Sequence, residues 1–340
     1  MTRGWAQPRR AWALLLAGCG PPSEPIPTAP APGPVPADAE VVRFVAFGDA
    51  GTGDATQRAV AEAVRAVCRA RTDDRPGCDF LALLGDNFYP AGPETADDPL
   101  FESHFERAYG DLGLPVYVAV GNHDYGDPPF DRGRIAAEVA YEGPSGAWRL
   151  PAPVYRFAAG PVDFLVLDTH RVLLEPLWGD SGQGDWVDAV LAGSDPARWR
   201  VVLTHHPFAS NGLHGRAGAY EGSSWIPVAS GRSVRRLYDD HLCGAVDLVL
   251  AGHDHNRQWV GEACGSTHVV SGAGAKVRPL QDRGVPTRFS DDTEPGFLWV
   301  EARADRMTGV FYGVDGALDF EAQVARRRPA TLPEGSAGVP

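Results

Sequence analysis

The chain has 340 residues, 44% of them hydrophobic, enough to bury a sizeable core in one large domain or two smaller ones. Its formal net charge of -13 at pH 7 repels nucleic-acid phosphates and excludes a general DNA or RNA binder. A small anionic substrate stays compatible, because bound metal ions reverse the local field.

Arg3, Arg9 and Arg10 precede "AWALLLAG", an apolar stretch too short to anchor a chain across a bilayer. It runs into "LAGC" (16–19), which resembles a bacterial lipobox. That resemblance implies cleavage before Cys19, lipidation of Cys19, and a lipoprotein held to a membrane on its periplasmic or cell-surface side. An ordinary secretory signal with an incidental Cys19 is the alternative. Residues 20–40, "GPPSEPIPTAPAPGPVPADAE", are dense in Pro and Ala and suit an extended spacer. This divides the chain into a signal (1–19), a linker (20–40), a folded domain (41–325) and a frayed tail (326–340).

From Val41 the text becomes globular. "VVRFVAFGDAG" predicts a buried strand, and "ATQRAVAEAVRAVCRA" a helix with Val60, Val64 and Val67 on one face. "DFLALLGDN" and "LPVYVAVGNHD" predict strands on either side of a helix in "PLFESHFERAYG". Paired strands in "VYRFAAGPVDFLVLDT" lead to a helix, "GQGDWVDAVLAG", and a strand, "WRVVLTHHP". A further helix, "SVRRLYDDHLCG", precedes strands in "AVDLVLAGHDH" and "STHVVSGAG", and the C-terminal part suggests antiparallel strands. The class is α/β, strands inside and helices outside. Apart from Cys19, the cysteines are Cys68, Cys78, Cys243 and Cys264, an even number in an exported chain; the sequence-local pairing, Cys68–Cys78 and Cys243–Cys264, is one of three connectivities.

Open α/β sheets bind ligands at the carboxyl ends of their strands. Here those ends read "GDAG" (48–51), "GDNFY" (85–89), "GNHD" (121–124), "THHP" (204–207) and "GHDH" (252–255). A lone Gly-Asp is a turn and a lone His is background, but five such clusters behind five strands make a site. Carboxylate, amide and imidazole donors together suit a di-metal site for Fe, Mn or Zn, a recurrent solution for hydrolysing phosphate esters.

These motifs, in this order, resemble the calcineurin-like metallophosphoesterases. Tyr89 in "GDNFY" narrows the likeness to purple acid phosphatases of the small tartrate-resistant type, over roughly residues 41–320. The resemblance implies a four-layer α/β/β/α sandwich with a dinuclear metal site at the C-terminal strand ends. It implies Fe(III) bound by Asp49, Tyr89 and His255, with Asp86 bridging to a divalent metal (Fe, Zn or Mn) held also by Asn122, His205 and His253. His205 is chosen over His206 because the family's ligand stands two residues before the proline. His123 matches a histidine that contacts substrate phosphate, and His214 one near the leaving-group oxygen. The implied reaction is hydrolysis of small phosphate monoesters by in-line attack of a metal-bound hydroxide, favoured on the acid side of neutrality. A phosphodiesterase or nucleotide pyrophosphohydrolase would share these ligands, since substrate choice lies in loops such as 125–150 and 208–232. A non-catalytic phosphate-binding lipoprotein would have lost ligands. The other histidines, and Arg171 and Arg216, read as structural or solvated.

Overall fold

In the computed structural model the described residues are 31, 33–222 and 225–327. The predicted signal and Cys19 lie outside them, as do most of the tail and linker residues 20–30 and 32. The strands are β1 (Val41–Phe47), β2 (Phe80–Leu84), β3 (Val116–Ala119), β4 (Trp148–Arg149), β5 (Tyr155–Ala159), β6 (Val162–Val166) and β7 (Trp199–Leu203). They continue as β8 (Leu248–Ala251), β9 (Arg257–Ala263), β10 (Ser266–Ser271), β11 (Phe289–Asp291), β12 (Gly296–Arg303), β13 (Met307–Gly313) and β14 (Leu318–Gln323). They form two seven-stranded sheets, ordered β14-β13-β12-β1-β2-β3-β4 and β11-β9-β10-β8-β7-β6-β5.

Each sheet has a parallel centre, β1-β2-β3 in one and β6-β7-β8-β10 in the other. Strands buried on both faces read as continuous apolar runs, which is why "FLALL" and "LVLA" lack alternation. The sheets face each other across an aromatic core. Phe44 stacks on Phe80 at 4.9 Å and meets Phe164 edge-on at 5.3 Å, while Phe157 stacks on Phe164 at 4.6 Å. Each such pair adds about 0.5–1.5 kcal/mol beyond its buried area.

Helix Ala55–Ala70 covers the first sheet with Val60, Val64 and Val67 buried. Asp54 caps it, accepting from Thr56 N at 2.9 Å and Gln57 N at 3.0 Å. The Cys68–Cys78 disulfide ties its last turn to the loop before β2, and Cys243–Cys264 closes the loop around β8 and β9.

Contacts extend past both ends of the 41–325 segment. Within the Pro/Ala-rich linker, Gly160 donates to the Pro36 carbonyl at 3.1 Å and Arg198 to that of Ala37 at 3.1 Å. Arg326 and Arg327, read as tail, are also held, by the Ala304 carbonyl and by Asp247. A segment that cannot build a core still offers backbone carbonyls to arginines and a hairpin. Among the described residues no helix is long and apolar enough to cross a membrane.

Candidate metal centre

The C-terminal ends of β1, β2 and β3 from one sheet and of β7 and β8 from the other converge at one place. Backbone bonds lock them there: Gly48 N donates to the Ser271 carbonyl at 2.8 Å, and His253 N donates to Asp49 Oδ2 at 2.7 Å. The glycines before the donors are required by crowding. A Cβ on Gly121 would lie 2.3 Å from Asp86 Oδ1, and one on Gly252 would lie 2.6 Å from Asp49 Oδ2. The turns are tight enough to hold Asp49, Asp86 and His253 at φ of 59°, 54° and 69°, the left-handed region side chains avoid. Such strain, about 1–3 kcal/mol per residue, gathers where function demands it.

Asp86 divides the site. Its Oδ2 accepts from the Tyr89 hydroxyl at 2.8 Å, and that hydroxyl lies 3.2 Å from Asp49 Oδ1 and 3.3 Å from His255 Nε2. Its Oδ1 accepts from His123 N at 2.9 Å and lies 3.3 Å from His205 Nε2. His205 Nε2 is in turn 3.1 Å from Asn122 Oδ1 and 3.2 Å from His253 Nδ1. All seven residues named from the strand ends are therefore brought together, in two sets that share one carboxylate.

The donor chemistry fits metal ions. His205 Nδ1 is bonded to the Leu84 carbonyl at 2.8 Å, which turns Nε2 toward the oxygens of Asn122 and Asp86. An imidazole nitrogen, an amide oxygen and a carboxylate oxygen facing each other are the donor types of a borderline or hard cation. Burial, with His214, His206, His205 and His255 around it, holds His253 well below its ordinary value, leaving a neutral imidazole. Burial pushes the Asp86 carboxyl up, but His205, His123 and the bonds from His123 N and Tyr89 bring it below its ordinary value. With protein groups alone, burial and the Asp86 and Asp49 carboxylates keep the Tyr89 phenol well above its ordinary value.

Around the donors stand two histidines. His123 is fixed through Nδ1 to the Pro90 carbonyl at 2.7 Å, with its ring 4.5 Å from that of Tyr89. His214 stacks on His253 at 4.1 Å and is bonded through Nδ1 to Glu221 Oε1. Burial lowers the His214 pKa, but the Glu221 bond and the Asp254 and Asp49 charges raise it overall. His206 lies behind the donors, buried against His253 at 4.4 Å and bonded to Thr169 Oγ1 at 3.0 Å. Arg171 is spent on the Gly179 and Asp180 carbonyls, and Arg216 is exposed.

Sequence reasoning named the motifs without the work of their other acids. Asp124 accepts from Gly121 N at 2.7 Å and Asn87 N at 2.8 Å, bracing the β2 and β3 turns against each other. Asp254 accepts from His214 N at 2.8 Å and holds the loop that carries His214. Both lie inside quoted motifs, so position was the available signal. Glu221, in a polar loop, had none.

The model of the family described as calcineurin-like phosphoesterase matches residues 42–257. Tartrate-resistant acid phosphatase type 5 of Rattus norvegicus is 31% identical over 86% of this chain and 92% of its own. The chain belongs to the calcineurin-like phosphoesterases, in their purple acid phosphatase branch. Purple acid phosphatase 7 of Arabidopsis thaliana is 25% identical over 73% of this chain and 76% of its own. Among solved structures, the fold is shared with the yellow lupin (Lupinus luteus) purple acid phosphatase PPD1, at a TM-score of 0.61 and 18% identity over 86% of this chain and 55% of that one. It is shared also with GAP50 of Plasmodium, at a TM-score of 0.65 and 19% identity over 86% and 90%. The protein is thus a phosphate-ester hydrolase of a family that implies a dinuclear metal centre.

Proposed function

We propose that this phosphoesterase is an acid phosphatase for small phosphate monoesters, working with Fe(III) and a divalent ion. Asp49, Tyr89 and His255 would hold the Fe(III), Asn122, His205 and His253 the divalent ion, and Asp86 both. The observation that carries this reading is the split environment of Asp86, with the Tyr89 hydroxyl at Oδ2 and His205 Nε2 near Oδ1. The relatives named as tartrate-resistant acid phosphatases support the substrate class. When bound, such a pair acidifies water and neutralises charge on phosphate oxygens.

The chain supplies the rest. His123, with Nδ1 occupied by the Pro90 carbonyl, presents Nε2 to a phosphate oxygen. His214, oriented by Glu221, gives a proton to the departing alkoxide oxygen. Asp124 and Asp254 keep both turns from relaxing, so the donors are set before substrate arrives. The "LAGC" motif further supports export and a lipid tether at Cys19. Labelling with a fatty acid that persists in Cys19→Ser would refute the tether.

The experiment is metal analysis and a visible spectrum of the purified protein, with mono- and diester hydrolysis measured across pH. Iron, a violet band lost in Tyr89→Phe, and a monoester optimum below pH 7 are expected. An iron-containing protein without colour, or a preference for diesters, overturns the reading.

A further inference from the structure

Lys276 is the only lysine in the 340-residue sequence, every other Lys-or-Arg position being arginine. It is half-buried, and its Nζ lies 3.0 Å from the centroid of the Tyr89 ring. The backbone delivers it there. Upstream, Gly274 N donates to the Gly48 carbonyl at 3.1 Å, beside Asp49. Downstream, Arg278 N donates to the His255 carbonyl at 2.7 Å. A Cβ on Gly274 would lie 2.5 Å from that Gly48 oxygen, so the approach is close by construction. The segment is pinned to two donor-bearing turns, and the ammonium between the pins sits on the ring of a third donor.

A cation over an aromatic face is attracted by the ring's electron density. The same field lowers the energy of the ring's π electrons, the electrons a tyrosinate shares with a metal. Burial lowers the pKa of this ammonium overall, with Arg278 adding to the effect and the Asp86 and Asp49 carboxylates opposing it in part.

We propose that Lys276 is a positioning residue for the metal centre: its ammonium, held on the Tyr89 face, sets the energy at which that ring gives charge to the bound ion. This rests on the reading of Tyr89 as an iron ligand. It differs from a packing role, which any side chain of similar length would fill, and from a direct grip on substrate phosphate. It gives the chain's lone lysine a task that a bulkier guanidinium performs less closely.

The test compares visible spectra of the iron-loaded full chain in the wild type, Lys276→Met, Lys276→Gln and Lys276→Arg. Removing the charge raises the ring electrons, so the Met and Gln variants should absorb at longer wavelength, by on the order of 30 nm. The Arg variant, which keeps the charge, should restore most of the shift. The iron reduction potential should fall in the neutral variants, moving with the band. A coloured Met or Gln variant whose band stays in place overturns the proposal and leaves the Tyr89 ligand reading intact. So does an unmoved band with a raised KM for an aryl phosphate, which would make Lys276 a phosphate contact. An iron-loaded wild type without colour overturns the ligand reading and the proposal together.

Discussion

Glu221 holds Nδ1 of His214, seven residues earlier in the chain, and so fixes which ring nitrogen is free to face a leaving group. If His214 protonates the departing oxygen, its removal should matter most when that oxygen is a poor leaving group. His214→Ala is expected to slow alkyl phosphates by about 100-fold or more, and 4-nitrophenyl phosphate much less. Glu221→Ala should follow the same pattern with a smaller loss. Rate measurements over substrates of graded leaving-group pKa check this, and equal losses across the series would remove His214 from the proton transfer.

Asp86 and Asp124 allow a graded test of the metal assembly. Losing an outer partner of a metal site costs about 10–100-fold in affinity. Asp124→Asn, which keeps the side chain's size but sets an amide against backbone N–H donors, should fall in that range. Asp86→Ala removes a group common to both donor sets and should cost more than about 100-fold, with fewer than two metal equivalents retained. Metal stoichiometry and a competition titration read both outcomes.

The site was legible where chemistry follows an apolar run. Asp49, Asp86, Asn122, His205 and His253 each end a strand whose residues announce themselves, so local pattern placed them together before any distance was known. Strand β9 escaped because Arg257 and Gln258 look like loop residues; both are buried, Arg257 through Asp291 at 2.6 Å and Asp319, Gln258 through Ser210 at 2.8 Å. Their partners lie tens of residues away, beyond any periodicity. Glu221 and Lys276 were hidden for the same reason. A charged residue in a loop reads as solvated until the fold supplies the ring or imidazole it touches.

Glu138 carries a stability test. Among the described residues, neither of its carboxylate oxygens has a hydrogen-bond partner, and neither has Asn87 Oδ1. Burial, then the Asp124 carboxylate, push the Glu138 carboxyl well above its ordinary value, and the Asn87 side chain opposes this only in part. The folded protein therefore keeps a proton that the unfolded chain releases above about pH 4.3. Stability contributed by this group falls as pH rises from there. Glu138→Gln, neutral at every pH, should stabilise the protein by about 1–3 kcal/mol at pH 7 and have little effect near pH 4. Thermal melting at the two pH values decides it, and an equal change at both would refute a protonated Glu138.

His268 acts in the opposite sense, and it bears on working in acid. It is buried in β10 against Phe208, ring centroids 5.0 Å apart, and burial pushes its pKa down to about 4. The unfolded chain takes up a proton below about pH 6.5, while the folded protein refuses it until pH 4. Stability is thus full above 6.5, declines through that window, and levels below 4, by about 3 kcal/mol in all. His268→Phe has no such proton to refuse. Its melting temperature should fall less than the wild type's between pH 7 and 4, by about 4–5 °C at ~1.5 °C per kcal/mol in a chain of 340 residues. The decline that remains belongs in part to His170, also pushed by burial to about 4. Parallel pH profiles for the two proteins would show that His268 is protonated in the fold after all.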